Sequence, residues 1–206
     1  MESTFFRTIL FLLTFVSLIL CINLPPSDPT KAGTLGVMQF NGTIHGVEVE
    51  LNGTVQEIYA QFLQMHPEIT ANLTTAGSHT LSSKSLETLE ARFKSTIYCC
   101  PVASWGWLPA NVPALNAGIE YLDNFKGSCS AGGHGCARIS CSNGAAIWLC
   151  NDNDFTIYEN CGYMATYVDD LATACGLRDQ WGGYTSVCGQ EFDTFGYNII
   201  VRADAC

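Results

Sequence analysis

Ten of the eleven cysteines lie between Cys99 and Cys206, in about half of this 206-residue chain. An even number at this density is typical of a secreted domain stapled by disulfides, because disulfides persist in oxidising compartments. The alternative is zinc, but there is no CxxC pair, and His134 is the only histidine in that range. We therefore expect disulfides, with no metal and no cofactor, on Cys99, Cys100, Cys129, Cys136, Cys141, Cys150, Cys161, Cys175, Cys188 and Cys206.

The N-terminus has the pattern of a secretory signal peptide over residues 1–21. An apolar run at residues 9–20 follows Arg7, and Pro25 breaks the pattern. An uncleaved signal anchor is the alternative, since the longer run at residues 5–24 is about long enough to span a bilayer. We expect cleavage near Cys21, because the cysteine content already requires export, and hence no stable membrane insertion afterwards.

Charge excludes two classes of partner. The chain has 9 Lys and Arg residues against 19 Asp and Glu residues, a formal net charge of −10. Nucleic-acid binding needs a basic face that neutralises phosphates, and docking on anionic lipid needs one as well. An extracellular protein or a polysaccharide is the partner that the sequence favours.

Residues 22–98 differ from the cysteine-rich part and are interpreted as a glycosylated leader, a pro-segment or a small N-terminal region. All three Asn-x-Ser/Thr sequons lie here, at Asn41, Asn52 and Asn72. About 75 residues without disulfides bury little core, so we expect this region to be marginally stable alone.

Local patterns within residues 22–98 predict two strands and a helix. Alternation at residues 37–40 and 45–51 favours the strands. Thr54 and Glu57 have capping-box spacing, which predicts a helix over residues 55–65. Residues 70–83 are interpreted as a linker, and a short helix is predicted around residues 86–93.

The stretch at residues 136–153 predicts a β-hairpin around Asn143-Gly144, the pair that best tolerates positive φ in a type I′ turn. A two-residue turn pairs Ile139 with Trp148 on one face, which we expect helices to cover as core. The same register places Cys141 and Cys150 roughly 13 Å apart, too far to bond to each other.

Two helices are predicted between Cys99 and Cys206. Asn111 caps the first, which ends at Gly127, and a Gly-rich loop follows. The second starts near Thr156 and ends at Cys175, so Cys161 and Cys175 are about 21 Å apart and need separate partners. With strands at both ends, the order β-α-β-β-α-β-β predicts an α+β fold: a disulfide-rich two-layer α/β sandwich, a mostly antiparallel sheet with two helices on one face.

The order of these elements and cysteines carries a resemblance to a family. A helix ending in Gly, a Cys-rich loop, IxC-x-NG-AI, a helix ending in Cys and the last strand YNIIVRxxxC resemble small secreted fungal proteins of the killer-toxin-like α/β sandwich type. The resemblance covers residues 99–206. It implies an extracellular toxin or effector without a cofactor.

The resemblance also implies a disulfide pattern. The implied pairs are Cys141 with Cys206, Cys129 with Cys161, Cys99 with Cys175 and Cys100 with Cys188, leaving Cys136 with Cys150. The hairpin register above places that last pair on opposite faces, so either the hairpin has a bulge or this pair is not carried over. Residues 99–206 hold four Lys or Arg residues against eleven Asp or Glu residues, which disfavours a mechanism based on cationic contacts with a target channel.

No constellation of catalytic residues is recognisable. His134 stands alone in a Gly-rich loop, and the ten cysteines can all pair. Asp152 and Asp154 lack the Gly and Glu spacing of a calcium loop. We therefore predict a non-enzymatic protein.

Binding by loop aromatics is the better hypothesis. The candidate residues lie beside Gly and Pro, and the alternative is that they cover the ends of a small core: Trp105, Trp107, Trp181 and Tyr184. We predict a secreted toxin- or effector-like protein that binds an extracellular host or competitor target. A wall- or carbohydrate-binding protein is the first alternative, and a small secreted hydrolase is the second.

Overall fold

A computed structural model describes residues 28–32, 34–69 and 93–206. The predicted signal peptide, the predicted linker, Asn72 and all but the last residue of the helix predicted around residues 86–93 lie outside the described residues. The helices are α1 (Pro29–Ala32), α2 (Val55–Met65), α3 (Val112–Asn124) and α4 (Cys161–Cys175). The strands are β1 (Thr34–Gly36), β2 (Gln39–Ile44), β3 (Val47–Asn52), β4 (Lys94–Cys99), β5 (Ala110–Asn111), β6 (Lys126–Ala131), β7 (Gly135–Ser142), β8 (Ala145–Asn151), β9 (Ile157–Asn160), β10 (Leu177–Arg178), β11 (Tyr184–Val187), β12 (Gly189–Asp193) and β13 (Tyr197–Ala203).

These strands form three sheets, and their pairing makes the protein α+β with mostly antiparallel strands. The largest sheet has the order β1-β7-β8-β13-β12-β4, in which only β1 and β7 run parallel. A second sheet has the order β3-β2-β6-β9, and a third has the order β10-β11-β5.

The central hairpin is β7 and β8, joined at Asn143 and Gly144 with φ of 48° and 76°. Near the turn the predicted register is correct, since Cys141 pairs with Ala146. A β-bulge between Arg138 and Ser140 then shifts the register by one residue. Beyond the bulge, Cys136 lies opposite Cys150 and bonds to it.

The bulge corrects the predicted faces of the hairpin. Ile139 joins the core under the helices, with Ile147 and Leu149, whereas Trp148 lies on the opposite face of the sheet. Both Ile139 and Trp148 are buried, so the two faces of the hairpin each carry a core. The prediction that they share one helix-covered face is wrong, because a one-residue shift moves side chains to the other face.

Three helices, not two, contribute to the larger core. Helix α2 packs on β7 beside α3, and its Val55, Ile58 and Phe62 are fully buried. Its capping box is present, with Thr54 and Glu57 each accepting the other's backbone N–H. Helix α3 begins after Asn111, as predicted, and ends at Asn124 rather than Gly127.

Two elements differ from the sequence-based expectation. The predicted Gly-rich loop is partly a strand, β6, whose Ser130 and Cys129 pair with β9. Helix α4 begins at Cys161 after the cap Asn160, not near Thr156, because Ile157–Asn160 is taken up as strand β9. Strand pairing with β6 therefore overrides the local capping signal at Thr156.

The ten cysteines form five disulfides, which divide between the two faces of the large sheet. Two of them hold the ends of α4, since Cys161 is its first residue and Cys175 its last. The other three lie with the smaller core on the opposite face. The five pairs, which are those that the resemblance implies, are Cys99–Cys175, Cys100–Cys188, Cys129–Cys161, Cys136–Cys150 and Cys141–Cys206.

The described part of residues 22–98 contributes strands to the same sheets. Strand β2 pairs with β6, β1 pairs with β7, and β4 pairs with β12. The described strands on both sides of residue 98 therefore pair with each other. Pairing of β2 with β6 needs Gly127, because a Cβ there would lie 2.2 Å from the Asn41 carbonyl oxygen.

Candidate functional site

The small hairpin β10–β11 carries two of the predicted binding residues, Trp181 and Tyr184. The Asp179 carboxylate accepts the backbone N–H groups of Trp181 and Gly183, at 2.8 and 2.9 Å. Gly182 adopts φ of +83°, a conformation that glycine reaches without steric cost. These bonds give the hairpin tip a defined shape without any packed core.

Trp181 is 85 % exposed, the most exposed large hydrophobic residue among those described. Tyr184 is half-buried, and the Arg178 guanidinium lies 4.0 Å from the centre of its ring. Arg178 also donates to the Gly182 carbonyl oxygen at 2.9 Å and to the Tyr184 hydroxyl. Arg178 therefore links the two strands of the hairpin, while Trp181 remains free to contact a partner.

The other two predicted residues, Trp105 and Trp107, lie together in the loop that follows β4. Their ring centres are 4.9 Å apart. Trp107 is only 6 % exposed, and its indole N–H donates to the Asp28 carboxylate at 2.9 Å. Trp105 is half-buried against the smaller core. The structure thus brings the four aromatic residues together as two pairs and makes Trp107 a core residue.

A buried cluster of tyrosines and carboxylates was not foreseen from the sequence. The Tyr167 hydroxyl donates to Asp193 and lies 3.1 Å from the Tyr163 hydroxyl and 3.3 Å from that of Tyr197. Burial raises the pKa of Tyr167 and of Tyr197 well above the ordinary value, so both stay neutral hydrogen-bonding groups. Since these residues come from α4, β12 and β13, only the tertiary structure assembles them.

Glu191 lies near this cluster with one carboxylate oxygen, Oε2, buried and without a hydrogen-bond partner. Burial, together with the charges of Asp170 and Asp193, raises its pKa to about 7, although the charge of Lys94 acts in the opposite direction. Lys94 forms an ion pair with Asp170 of α4, at 2.5 Å. The carboxyl group of Glu191 therefore favours its neutral, protonated form.

The acidic residues beside the central hairpin do not converge. Burial raises the pKa of Asp152 and of Glu159. The backbone N–H of His134 donates to the Asn153 carbonyl oxygen, which holds the loop after β6. Among the described residues no group of three or more His, Cys, Asp or Glu side chains is arranged to hold a metal ion.

Two of the three sequons can be placed. Asn41 lies in β2 and Asn52 at the end of β3, and both are exposed. The hydroxyl of Thr54, the third residue of the second sequon, is the buried cap of α2. Asn72 lies outside the described residues.

No protein-family model, curated protein or solved structure matches this chain. Within residues 28–32, 34–69 and 93–206, no helix is long and apolar enough to cross a membrane. The five disulfides are compatible with an extracellular protein.

Proposed function

We propose that the chain is a secreted toxin or effector of the fungal killer-toxin-like type, with the two-layer α/β sandwich of that family. It acts without catalysis, by binding an extracellular host or competitor target. The α+β fold and the five disulfides support this proposal, as does the agreement between the disulfide pairs and those that the resemblance implies. Exposure of Asn41 and Asn52 supports glycosylation during secretion.

The observation that carries the proposal is Trp181, 85 % exposed at the tip of a hairpin held by Asp179. Exposing an indole to water is unfavourable, and tryptophan is among the residues that most often dominate a binding interface. Because the tip is already ordered, little conformational entropy is lost when a partner covers the indole.

A carbohydrate-binding function is the alternative, and the same hairpin favours it. An exposed indole stacks on the apolar face of a sugar ring as readily as on a protein surface. The same hairpin carries the hydroxyl of Tyr184 and the guanidinium of Arg178, which contact each other and supply polar groups. A cell-wall polysaccharide is the ligand class that this alternative predicts.

The test uses the secreted protein and its Trp181→Ala variant, added to fungal and to plant cells. We expect the wild type to inhibit growth or cause necrosis, and the variant to lose at least tenfold in potency, about 1.4 kcal/mol of binding free energy. The matched control is Leu108→Ala, which removes another exposed apolar side chain, 67 % exposed, from a different loop.

Binding to insoluble wall polysaccharides, measured by pull-down with the same variants, separates the two functions. Polysaccharide binding that Trp181→Ala abolishes, without any effect on cells, would support the alternative. Equal potency of Trp181→Ala, Leu108→Ala and the wild type would contradict the proposed role of the hairpin. Thermal unfolding of each variant confirms that a loss of activity is not a loss of fold.

A further inference from the structure

The face of the large sheet opposite the helices has a core of its own, built around two tryptophans. Trp107 and Trp148 are each 6 % exposed there, beside Ile200 and three of the disulfides. The guanidinium of Arg202 lies 5.9 Å from the ring centre of Trp107 and 5.7 Å from that of Trp148. Arg138 lies 5.6 Å from Trp148 on the same face. Two of the four basic residues of residues 99–206 therefore meet here, in a chain whose net charge is −10.

Residues 28–32 and 34–36, which we name the strap, cover this face. Helix α1 packs on β7 and β8, and β1 pairs in parallel with β7, placing Leu35 opposite Cys136. The strap is held at an edge strand by backbone pairing, which is how an extended peptide from another protein would be held.

Asp28 is the anchor of the strap. It is 9 % exposed, and its carboxylate accepts from the Trp107 indole at 2.9 Å and from the Thr30 hydroxyl and backbone N–H at 2.7 and 2.9 Å. Burial raises the pKa of Asp28, but the hydrogen bonds from Thr30 and Trp107 and the charge of Arg202 outweigh burial and hold the pKa below its usual value. The face therefore stabilises a carboxylate.

The strap does not use all the donors of this face. The indole Nε1 of Trp148 and the Nε of Arg202 are buried and have no hydrogen-bond partner. Leaving a buried donor unpaired is destabilising, so an acceptor placed here is favoured. The Nη2 of Arg202, by contrast, is occupied by Thr30 and Asp204, at 3.1 and 3.0 Å.

We propose that this face is a binding site for a peptide segment that carries a carboxylate and a short β-strand, and that the strap occupies the site within the same chain. A partner segment that carries a carboxylate displaces the strap, pairs with the edge of β7 and places its carboxylate on Trp107 and Arg202. Its further acceptors satisfy Trp148 and Arg202. The strap competes at a high effective concentration because it is covalently attached, so the site binds such a peptide tightly only when the strap is weakened or removed. This site is separate from the Trp181 hairpin.

The experiment measures binding of a fluorescent peptide of residues 28–36 to the full chain by anisotropy. Asp28→Ala in the protein weakens the strap, and we expect the variant to bind the peptide at least tenfold more tightly than the wild type does. A peptide with Ala in place of Asp28 should bind at least tenfold more weakly to the same variant. The matched control is Lys31→Ala, which changes an exposed side chain of α1 and should behave as the wild type.

A second variant distinguishes weakening of the strap from unfolding of the protein. Thr30→Val keeps the shape of the side chain but removes one donor to Asp28 and one acceptor from Arg202. We expect this variant too to bind the peptide more tightly than the wild type does. The gain in affinity should be proportional to the increase in the hydrogen-exchange rate of β7. Equal binding of the peptide by folded Asp28→Ala, Thr30→Val and Lys31→Ala proteins would overturn the proposal. Unfolding of both strap variants would overturn it as well, because a strap that partners displace cannot be required for folding.

Discussion

At the scale of single residues, the capping side chains behave as local chemistry predicts. Thr54 and Glu57 cap α2, and Asn111 caps α3 by accepting the N–H of Ala114 at 3.3 Å. These bonds join residues three positions apart, so the sequence contains all that is needed to foresee them. Tyr167 and Asp193 are 26 positions apart, and nothing in the sequence indicates that they meet.

Glu191 is the residue whose surroundings make a prediction about pH. Its pKa is raised from 4.5 to about 7 by burial, with Asp170 and Asp193 opposing ionisation and Lys94 favouring it. Between these two values the unfolded chain releases the proton and the folded chain keeps it. The contribution of Glu191 to the free energy of unfolding should therefore fall as pH rises through this window, by up to about 1.4 kcal/mol per pH unit, and level off above it.

Glu191→Gln should remove this decline. The free energy of unfolding of the variant should therefore increase relative to that of the wild type from pH 4.5 upward, and the difference should be constant above pH 7. Urea denaturation at a series of pH values measures it. Glu120→Gln, which changes an exposed carboxylate on α3, is the control and should follow the wild type. Parallel curves for Glu191→Gln and the wild type would show that the buried carboxyl does not titrate in this range.

At the scale of elements, the central hairpin shows how a neighbour changes a register. The turn at Asn143-Gly144 and the pairing next to it follow from local geometry. The bulge does not follow from local geometry, and Gln56 of α2 lies against it. The Gln56 amide donates to the Ser140 hydroxyl at 2.8 Å and accepts the Cys141 N–H at 3.1 Å. Helix α3 approaches the same place, since a Cβ on Gly118 would lie 2.4 Å from the Ser140 hydroxyl oxygen.

Gln56→Ala should destabilise the protein by about 1–3 kcal/mol, because it leaves a backbone N–H and a buried hydroxyl of β7 without partners. Guanidinium denaturation measures the free energy of unfolding, and hydrogen exchange should show faster exchange at Cys141. The control is Gln64→Ala in the same helix, an exposed position that we expect to cost little. An effect of Gln56→Ala no larger than that of Gln64→Ala would mean that the bulge does not depend on α2.

At the scale of the whole molecule, residues 34–69 are structural partners of residues 93–206. Phe40 of β2 is fully buried and packs 4.8 Å from Phe125, measured between ring centres. The composition of residues 22–98, with sequons and no cysteine, predicted a leader, a pro-segment or a small N-terminal region. Composition does not indicate such docking, because β2 pairs with β6 through backbone groups that every residue except proline has.

Gly127→Ala tests this docking, since the added Cβ would collide with the Asn41 carbonyl oxygen at 2.2 Å and with the Gly42 Cα at 2.6 Å. We expect β2 to lose its pairing with β6 and a protease to cut residues 39–52 at least tenfold faster. Gly132→Ala, in a position with no atom within 4 Å of the added Cβ, is the control. Unchanged proteolysis of Gly127→Ala would show that the strands tolerate a wider separation than the structure has.

Four features follow from the sequence alone: the ten disulfide-bonded cysteines, the Asn143-Gly144 turn, the caps of α2 and α3, and the separation of Cys141 from Cys150. The first follows from composition, and the others depend on contacts within a few residues or on the fixed rise of a strand. Tertiary packing produces the bulge, the second core around Trp148, the docking of residues 28–32 and 34–69, and the exposure of Trp181 in contrast to the burial of Trp107. Those outcomes depend on which segments that are distant in the sequence pack against each other. The local sequence pattern is compatible with either outcome.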